Sequence, residues 1–414
     1  MLGREEVISV EKALQLVLSN ISPVSPPEKK LSIEDSYKRI LSRDIFSPED
    51  LPQFARSTVD GFAVNSSDTF GATETFPAYL NVAGEISMGI MPAFDLKKGE
   101  AAKIATGGML PKGADSVVMV EHVQHIDARM IEVMKPVAPC ENVIMAGEDI
   151  RKNDLIFMKG HRLRPQDIGA LAGLGITEVL VFERPKVSII STGDEIVPAN
   201  CPVNLGQIRD VNSFNLAGLI AEAGGDPVKR GIFRDDYNVL RKVIEESLRD
   251  SEMVLITGGS SVGTKDMTAK LINDIGEPGV LFHGVSIKPG KPMIGGIINN
   301  KPLFGLPGHP AAITVCFEQF IEPVLGRLSG LAENVFRDRK RIVIAKISKN
   351  VSSSSGREDH IRVSLEEREG EIWALPILGK SGLITTLTKA DGIVVIPLRK
   401  LGLEQGETVE VRLF

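Results

Sequence analysis

Three glycine-rich turns follow one another between residues 257 and 310: Thr257-Gly-Gly-Ser-Ser-Val-Gly-Thr-Lys-Asp266, Lys288-Pro-Gly-Lys291-Pro292 and Leu306-Pro-Gly-His-Pro310. Each comes after an apolar, β-branched stretch, so the turns read as the ends of strands. Strands that end together leave backbone N–H groups unpaired on a concave edge, where open α/β sheets take anionic ligands. Lys288 and Lys291, close together on a proline-stiffened turn, repel unless an anion lies between them, and Asp266 adds a carboxylate. The set reads as a phosphate or oxyanion pocket. Taken alone, Gly258, Gly259 and Gly263 serve equally well as a tight strand-to-helix connection.

Other polar breaks are less specific. Ser191-Thr-Gly-Asp-Glu195 follows a strand and offers hydroxyls and two carboxylates, which suit Mg²⁺ or a simple helix cap. Asp60, in Arg56-Ser-Thr-Val-Asp-Gly, is by itself an Asp-Gly turn. The loop Thr106 to Asp115 is by itself a connector, and Asp149 and Asp235 are weaker candidates. The six histidines are scattered, and only His309 sits on a site-like turn. With no HxH, HExxH or CxxC spacing, a transition-metal site built wholly from protein ligands is not expected.

The elements that must position these residues alternate in character. Val10 to Ser19 has helical periodicity after Ser9, and Pro165 to Leu174 forms another helix expected to pack with it. Short apolar runs broken by glycine and proline between residues 51 and 139 predict a β-rich unit set into the mixed unit 1–50 and 140–182. From 183 to 330 strands and helices alternate as in a doubly wound sheet, with Asn212 as N-cap and Gly224 closing the helix between them. Five apolar runs after 331 predict an all-β tail. The reading is a multidomain α/β protein.

Length 414 and a 43% hydrophobic, 25% charged composition are those of a globular protein of several domains. A net charge of −6 argues against general nucleic-acid binding, since no basic excess is available to displace phosphate counterions. Three widely spaced cysteines suit a reducing cytoplasm. Neither a signal peptide nor a membrane span is expected.

In their order, Ser57 to Val64, Thr106 to Glu121, Ala146 to Ile150, Ser191 to Glu195 and the three turns resemble the molybdopterin molybdenumtransferase family, the MoeA group related to the E domain of gephyrin. The resemblance implies a four-domain homodimer with a doubly wound molybdopterin-binding domain and a C-terminal β-barrel. It implies insertion of molybdenum from molybdate into adenylated molybdopterin with Mg²⁺ and release of AMP, and contact with other proteins of that biosynthesis. It also implies a cleft shared between two subunits. The positions carried over are Asp60, Thr106, Asp149, Glu195, Asp235, Asp266, Lys288, Lys291, Pro307, Pro310 and Ser381. Arg357 and Arg362 match a basic stretch that helps to hold molybdate. Glu195, Asp235 and Asp266 stand as Mg²⁺ ligands, and Gly258, Gly259, Ser261 and Gly263 as substrate-binding turns. Alternatives are a molybdopterin adenylyltransferase and a non-catalytic pterin-binding scaffold. The third turn departs from the family's more usual Leu-Pro-Gly-Asn-Pro-Val-Ser at His309 and Ala312, and Ser260 stands where valine is usual.

Overall fold

The computed structural model describes residues 7–22, 25–258, 262–332 and 341–414, with the side chains of 262–266 outside that description. Its largest sheet has the strand order Asp226–Phe233, Lys186–Thr192, Met253–Gly258, Lys301–Leu306, Ile294–Ile298, Pro278–His283. The first four strands run parallel and the last two complete an antiparallel edge. Met253 to Thr257 are buried throughout. A parallel strand covered on both faces needs apolar side chains at every position, which is why this segment carries no alternation.

Helix Tyr237–Asp250 begins where Asp236 accepts from Val239 N at 2.9 Å, and it buries Leu240, Ile244 and Ser247, one face at helical spacing. Helix Asn212–Ala223 ends as expected on left-handed Gly224, φ 97°. Its start differs from expectation: Asn212 lies inside the helix, and its side-chain amide donates to Gly308 O at 2.8 Å. The residue predicted to cap a helix instead ties down the third glycine turn.

Strand Glu28–Ser32 pairs antiparallel with Glu178–Phe182, and Leu41, Leu163, Leu171, Val179 and Val181 form a small core there. Helix Pro165–Gly173 contributes Leu171 to it. The N-terminal helix Val10–Ser19 does not join that core, contrary to expectation. Its buried Val10, Ala13 and Val17 belong to the core of the large sheet, with Phe282, Ile297, Phe320 and Leu328. Ile8 bridges Val285 and accepts from Ser286 N at 2.9 Å, so the chain is anchored to the sheet before the helix begins. An amphipathic face fixes how much a helix buries but not against what.

A second six-stranded sheet lies between residues 61 and 133, with Gly61–Val64 flanked by Ser116–Met119 and Glu100–Ile104. After residue 341 five strands close into a barrel: Glu358–Arg368, Glu371–Pro376, Ile342–Ile347, Thr408–Leu413 and Gly392–Ile396, the last pairing back onto the first. Ala345, Ile347, Val363, Ala374, Val394 and Val411 are in its core. The segment Ile287–Lys288 attaches to this barrel in parallel with Glu358 and Asp359. One of the glycine turns is thereby joined to the tail of the chain. Among the described residues no helix is long and apolar enough to cross a membrane.

Candidate functional site

Register across the parallel strands sets Thr192 opposite Phe233 on one side and Gly258 on the other, with Thr257 opposite Leu306. Asp235, Glu195, Gly258 and Pro307 therefore all follow adjacent strand ends. Gly258 has φ 125°, and a Cβ there would lie 1.8 Å from Thr192 O, so only glycine allows these strand ends to approach. Gly258, Pro292 and Pro307 line one small cleft. The three glycine turns thus meet, as the sequence suggests. Gly259 and Ser261 lie outside the described residues, as does Ser260. Gly263 and Asp266 fall within helix Val262–Ile275, and nothing is described of the Asp266 side chain.

On this edge the Thr192 hydroxyl donates a short hydrogen bond to Asp235 Oδ1, fixing a half-buried carboxylate. Glu195 is exposed, and its carboxylate lies over Gly193, where a Cβ would meet Oε2 at 2.8 Å. Ser191 turns inward and donates to buried Asp210 at 2.9 Å, which makes it a structural member of the loop. A cavity of about 680 Å³ opens beside this loop, with Phe214, Lys229 and Arg234 on its walls. The Lys229 ammonium sits 3.6 Å from the centre of the Phe214 ring.

The second and third turns face the barrel across a cavity of about 580 Å³. Lys288, Lys291, Pro307 and His309 line it from the sheet, and Arg357, Arg362 and Ser381 from the barrel. Pro310 is buried at the start of helix Pro310–Cys316. Gly290, φ 129°, packs the turn on this helix, where a Cβ would stand 2.9 Å from Cys316 Sγ. Burial pushes the Cys316 thiol up to about 12, so it packs rather than reacts.

The two lysines were expected to require an anion between them, and here the structure differs. Asp359, fully buried, lies 3.5 Å from Lys288 Nζ and accepts from Arg357 Nε at 2.7 Å. The protein itself supplies a counter-charge for Lys288. Lys291 makes no ion pair among the described residues and is an exposed residue of the cavity lining. Arg362 is buried, its Nη2 donates to Gly379 O at 3.3 Å, and burial holds its guanidinium below the usual range. Asp359 went unnoticed in the sequence. The pattern Gly356-Arg-Glu-Asp-His-Ile-Arg shows a charged strand start and holds one partner, Arg357, but only the pairing with Ile287–Lys288 brings Lys288 to its aspartate.

Asp60 and Thr106 occupy the small β-sheet. Thr106 N and Oγ1 both donate to Asp60 Oδ1, at 2.7 and 2.9 Å. These bonds, the backbone one first, hold the exposed Asp60 carboxyl below its ordinary 3.8. Asp115, at the far end of the Thr106 loop, instead accepts from Ser66 N at 2.7 Å and braces the fold. Asp149 is exposed, with its backbone N–H donated to Leu51 O at 3.2 Å. Among the described residues no hydrogen bond or ion pair joins Asp60 or Thr106 to the turns of the large sheet.

Comparison with known proteins matches the whole length of this arrangement. Residues 8–175 match the MoeA N-terminal region, domains I and II; 188–327 match a probable molybdopterin binding domain; and 345–414 match the MoeA C-terminal region, domain IV. A putative molybdopterin biosynthesis protein of Methanocaldococcus jannaschii is 38% identical over 98% of this chain and 97% of its own length. The molybdopterin molybdenumtransferase of Bacillus subtilis is 31% identical over 92% of this chain and 89% of its own. The chain belongs to the molybdopterin molybdenumtransferase family. Among solved structures, two molybdopterin biosynthesis MoeA proteins of Pyrococcus horikoshii superpose with TM-scores of 0.78 and 0.85, at 40% and 31% identity. Each match covers 99% of this chain and 99% or more of the neighbour. The α/β multidomain architecture, with its molybdopterin-binding type of sheet and closed C-terminal barrel, is that of this family.

Proposed function

We propose that this chain is a molybdenum insertase of molybdenum cofactor biosynthesis, taking molybdate in the cavity between sheet and barrel and adenylated molybdopterin along the strand ends. One observation carries the reading: Lys288, Lys291, Arg357, Arg362 and Ser381, from two separate parts of a family member's chain, converge on one cavity. Molybdate is a tetrahedral dianion, and converging ammonium and guanidinium groups neutralise it while directing donors at its oxygens. The nucleotide half lies along the crest, where the neighbouring 680 Å³ cavity offers the Phe214 ring and the cations Lys229 and Arg234.

Mg²⁺ belongs to this reading. Among the described residues no three His, Cys, Asp or Glu side chains cluster to form a complete cage. That donor set still fits Mg²⁺, which takes one or two carboxylates and fills its other positions with water and phosphate oxygens. Glu195 and Asp235 follow neighbouring parallel strands, and Thr192 fixes one oxygen of Asp235 while leaving the other open. These two residues would hold the ion, with Asp266, in the helix that follows the next strand, as third candidate. Bound there, Mg²⁺ would neutralise charge building up on the phosphoanhydride as AMP leaves. Gly258, at the end of its strand, supports the phosphate side of the same edge.

Asp60 and Thr106 enter as the facing wall. The Asp60 carboxylate is exposed, kept ionised, and has no partner on the large sheet among the described residues, which fits a cleft completed by Asp60 of the partner subunit in a cytoplasmic homodimer. An ionised aspartate so placed would orient a water or a pterin N–H. The test is AMP release from adenylated molybdopterin supplied with molybdate and Mg²⁺. Asp60→Ala, Glu195→Ala and Lys291→Ala should each depress it, and unchanged release in all three would sink the assignment.

A further inference from the structure

We propose that Asn212 is a positioning residue for the oxyanion cavity: it pins the Gly308–His309 peptide so that the His309 N–H serves as a backbone donor to a bound tetrahedral anion. Asn212 Nδ2 donates to Gly308 O at 2.8 Å. Pro307, Gly308 and His309 form the short turn between the strand that ends at Leu306 and the buried helix that begins at Pro310, and those two elements fix its ends. The middle of the turn is another matter. Gly308 has no side chain to restrict rotation of the peptides on either side of it. Among the described residues two side-chain bonds reach this middle, Asn212 on Gly308 O and the 2.9 Å pair of Ser381 Oγ with His309 Nδ1. The second acts on the ring, so the plane of the peptide depends on the first.

The 308–309 peptide is trans. In a trans peptide the C=O and the following N–H point to opposite edges of one plane. Holding Gly308 O toward helix Asn212–Ala223 therefore turns the His309 N–H away from that helix. No residue of the helix lines the 580 Å³ cavity, whereas Pro307 and His309 both do. Among the described residues the His309 N–H makes no hydrogen bond. A backbone donor needs no side chain ordered when an anion arrives, in contrast to the long arms of Lys288, Lys291 and Arg357 on the same wall.

The end of the helix that carries Asn212 is itself braced. Ser213 N donates to Asp210 Oδ1 at 3.1 Å and Ser191 Oγ to Asp210 Oδ2 at 2.9 Å. One turn on, Asn215 Nδ2 donates to Thr314 Oγ1 at 3.2 Å. The amide oxygen of Asn212, by contrast, is buried with no partner among the described residues. A buried acceptor left unpaired destabilises a fold. The side chain therefore adds little to stability, and what it supplies is the tie to the turn.

The inference rests on reading this cavity as an oxyanion site. Inorganic molybdate is titrated calorimetrically into the full chain and into Asn212→Leu, which keeps the volume and removes the amide, and AMP release is measured against molybdate concentration. The variant should unfold at or above the wild-type midpoint. It should bind molybdate about tenfold more weakly, the factor that the worth of one hydrogen bond gives. KM for molybdate should rise by the same factor, with kcat at saturating molybdate unchanged. The His309 amide proton, followed by nitrogen-15 NMR, should move downfield with molybdate in the wild type and stay in place in the variant. Unchanged molybdate affinity in Asn212→Leu, an unmoved His309 amide in the wild type, or a fall in kcat without a rise in KM would each overturn the proposal. Should Asn212→Leu fail to fold, Asn212→Ala is read in the same way, and failure of both would make Asn212 a residue of the fold and overturn the proposal as well. A wild type that releases AMP, beside a variant of unchanged affinity, refutes this inference alone; molybdate binding that depends on Asn212 without any AMP release refutes the insertase reading alone.

Discussion

In the cavity between sheet and barrel the carboxylate is fully buried and its cations face outward, whereas on the small β-sheet the carboxylate is exposed and its partner is a neutral threonine. Asp359 gathers Lys288, 71 residues before it in sequence, and Arg357, 2 residues before it. Among the described residues the Asp60 carboxylate is held by Thr106 alone, from just past the next strand of its own sheet. On the function proposed above, the first region would bind its anion within one chain, and the second would act on a surface that another subunit supplies. Substitutions in the first should therefore disturb fold and function together, and those in the second should disturb function alone.

The largest effect is expected at the crest. Gly258→Ala sets a Cβ into the Thr192 carbonyl at 1.8 Å, at a φ that disfavours any side chain, and should lower stability by about 3 kcal/mol. Chemical denaturation and AMP release should fall together, and a stable, inactive variant would contradict this packing role. Asp359→Ala should come next. Its carboxylate is fully buried, but Lys288 and Arg357 keep 55% and 36% of their side-chain surface exposed. Solvent screening brings the expected loss down to about 2 kcal/mol, with molybdate affinity reduced because the two cations are no longer held. Molybdate binding unchanged after this substitution would show that the buried carboxylate does not organise the cavity.

The same contrast explains what could be read from the sequence. The glycine turns, the alternation of strand and helix and the five tail strands are local signals, each carried by neighbouring residues, and the structure brings the turns together at one sheet edge. The partners of those elements are not local. Nothing in Val10–Ser19 distinguishes the core of the large sheet from the small core around Leu171, and nothing in Arg357-Glu-Asp359 announces Lys288. Asn212 shows the limit within one residue: its type suits a cap or a long-range tie equally, and the backbone of Gly308 decides.

Asp60→Asn tests the other side of the comparison. It keeps an acceptor for Thr106 and changes a fully exposed group, so the unfolding midpoint should stay at the wild-type value. AMP release should nevertheless fall on the order of a hundredfold if an ionised group is required. A proportionate loss of stability would erase the distinction between the two regions.

The smallest and most specific effect belongs to Thr106→Val. Two bonds hold the Asp60 carboxyl below 3.8, the Thr106 backbone N–H contributing more than its hydroxyl. Valine removes only the hydroxyl, so the carboxyl should titrate higher than in the wild type yet stay below its ordinary value, as followed by carbon-13 NMR of its side chain. A carboxyl depressed in the folded state stabilises above its unfolded pKa, and that contribution is lost as pH falls through the folded one. The window therefore lies below about pH 4, and wild type and variant should show the same dependence of stability on pH near neutrality. A difference between them at pH 6 to 8 would mean that Thr106 supports more than Asp60, and the small β-sheet would then share the coupling of fold and function seen at the cavity.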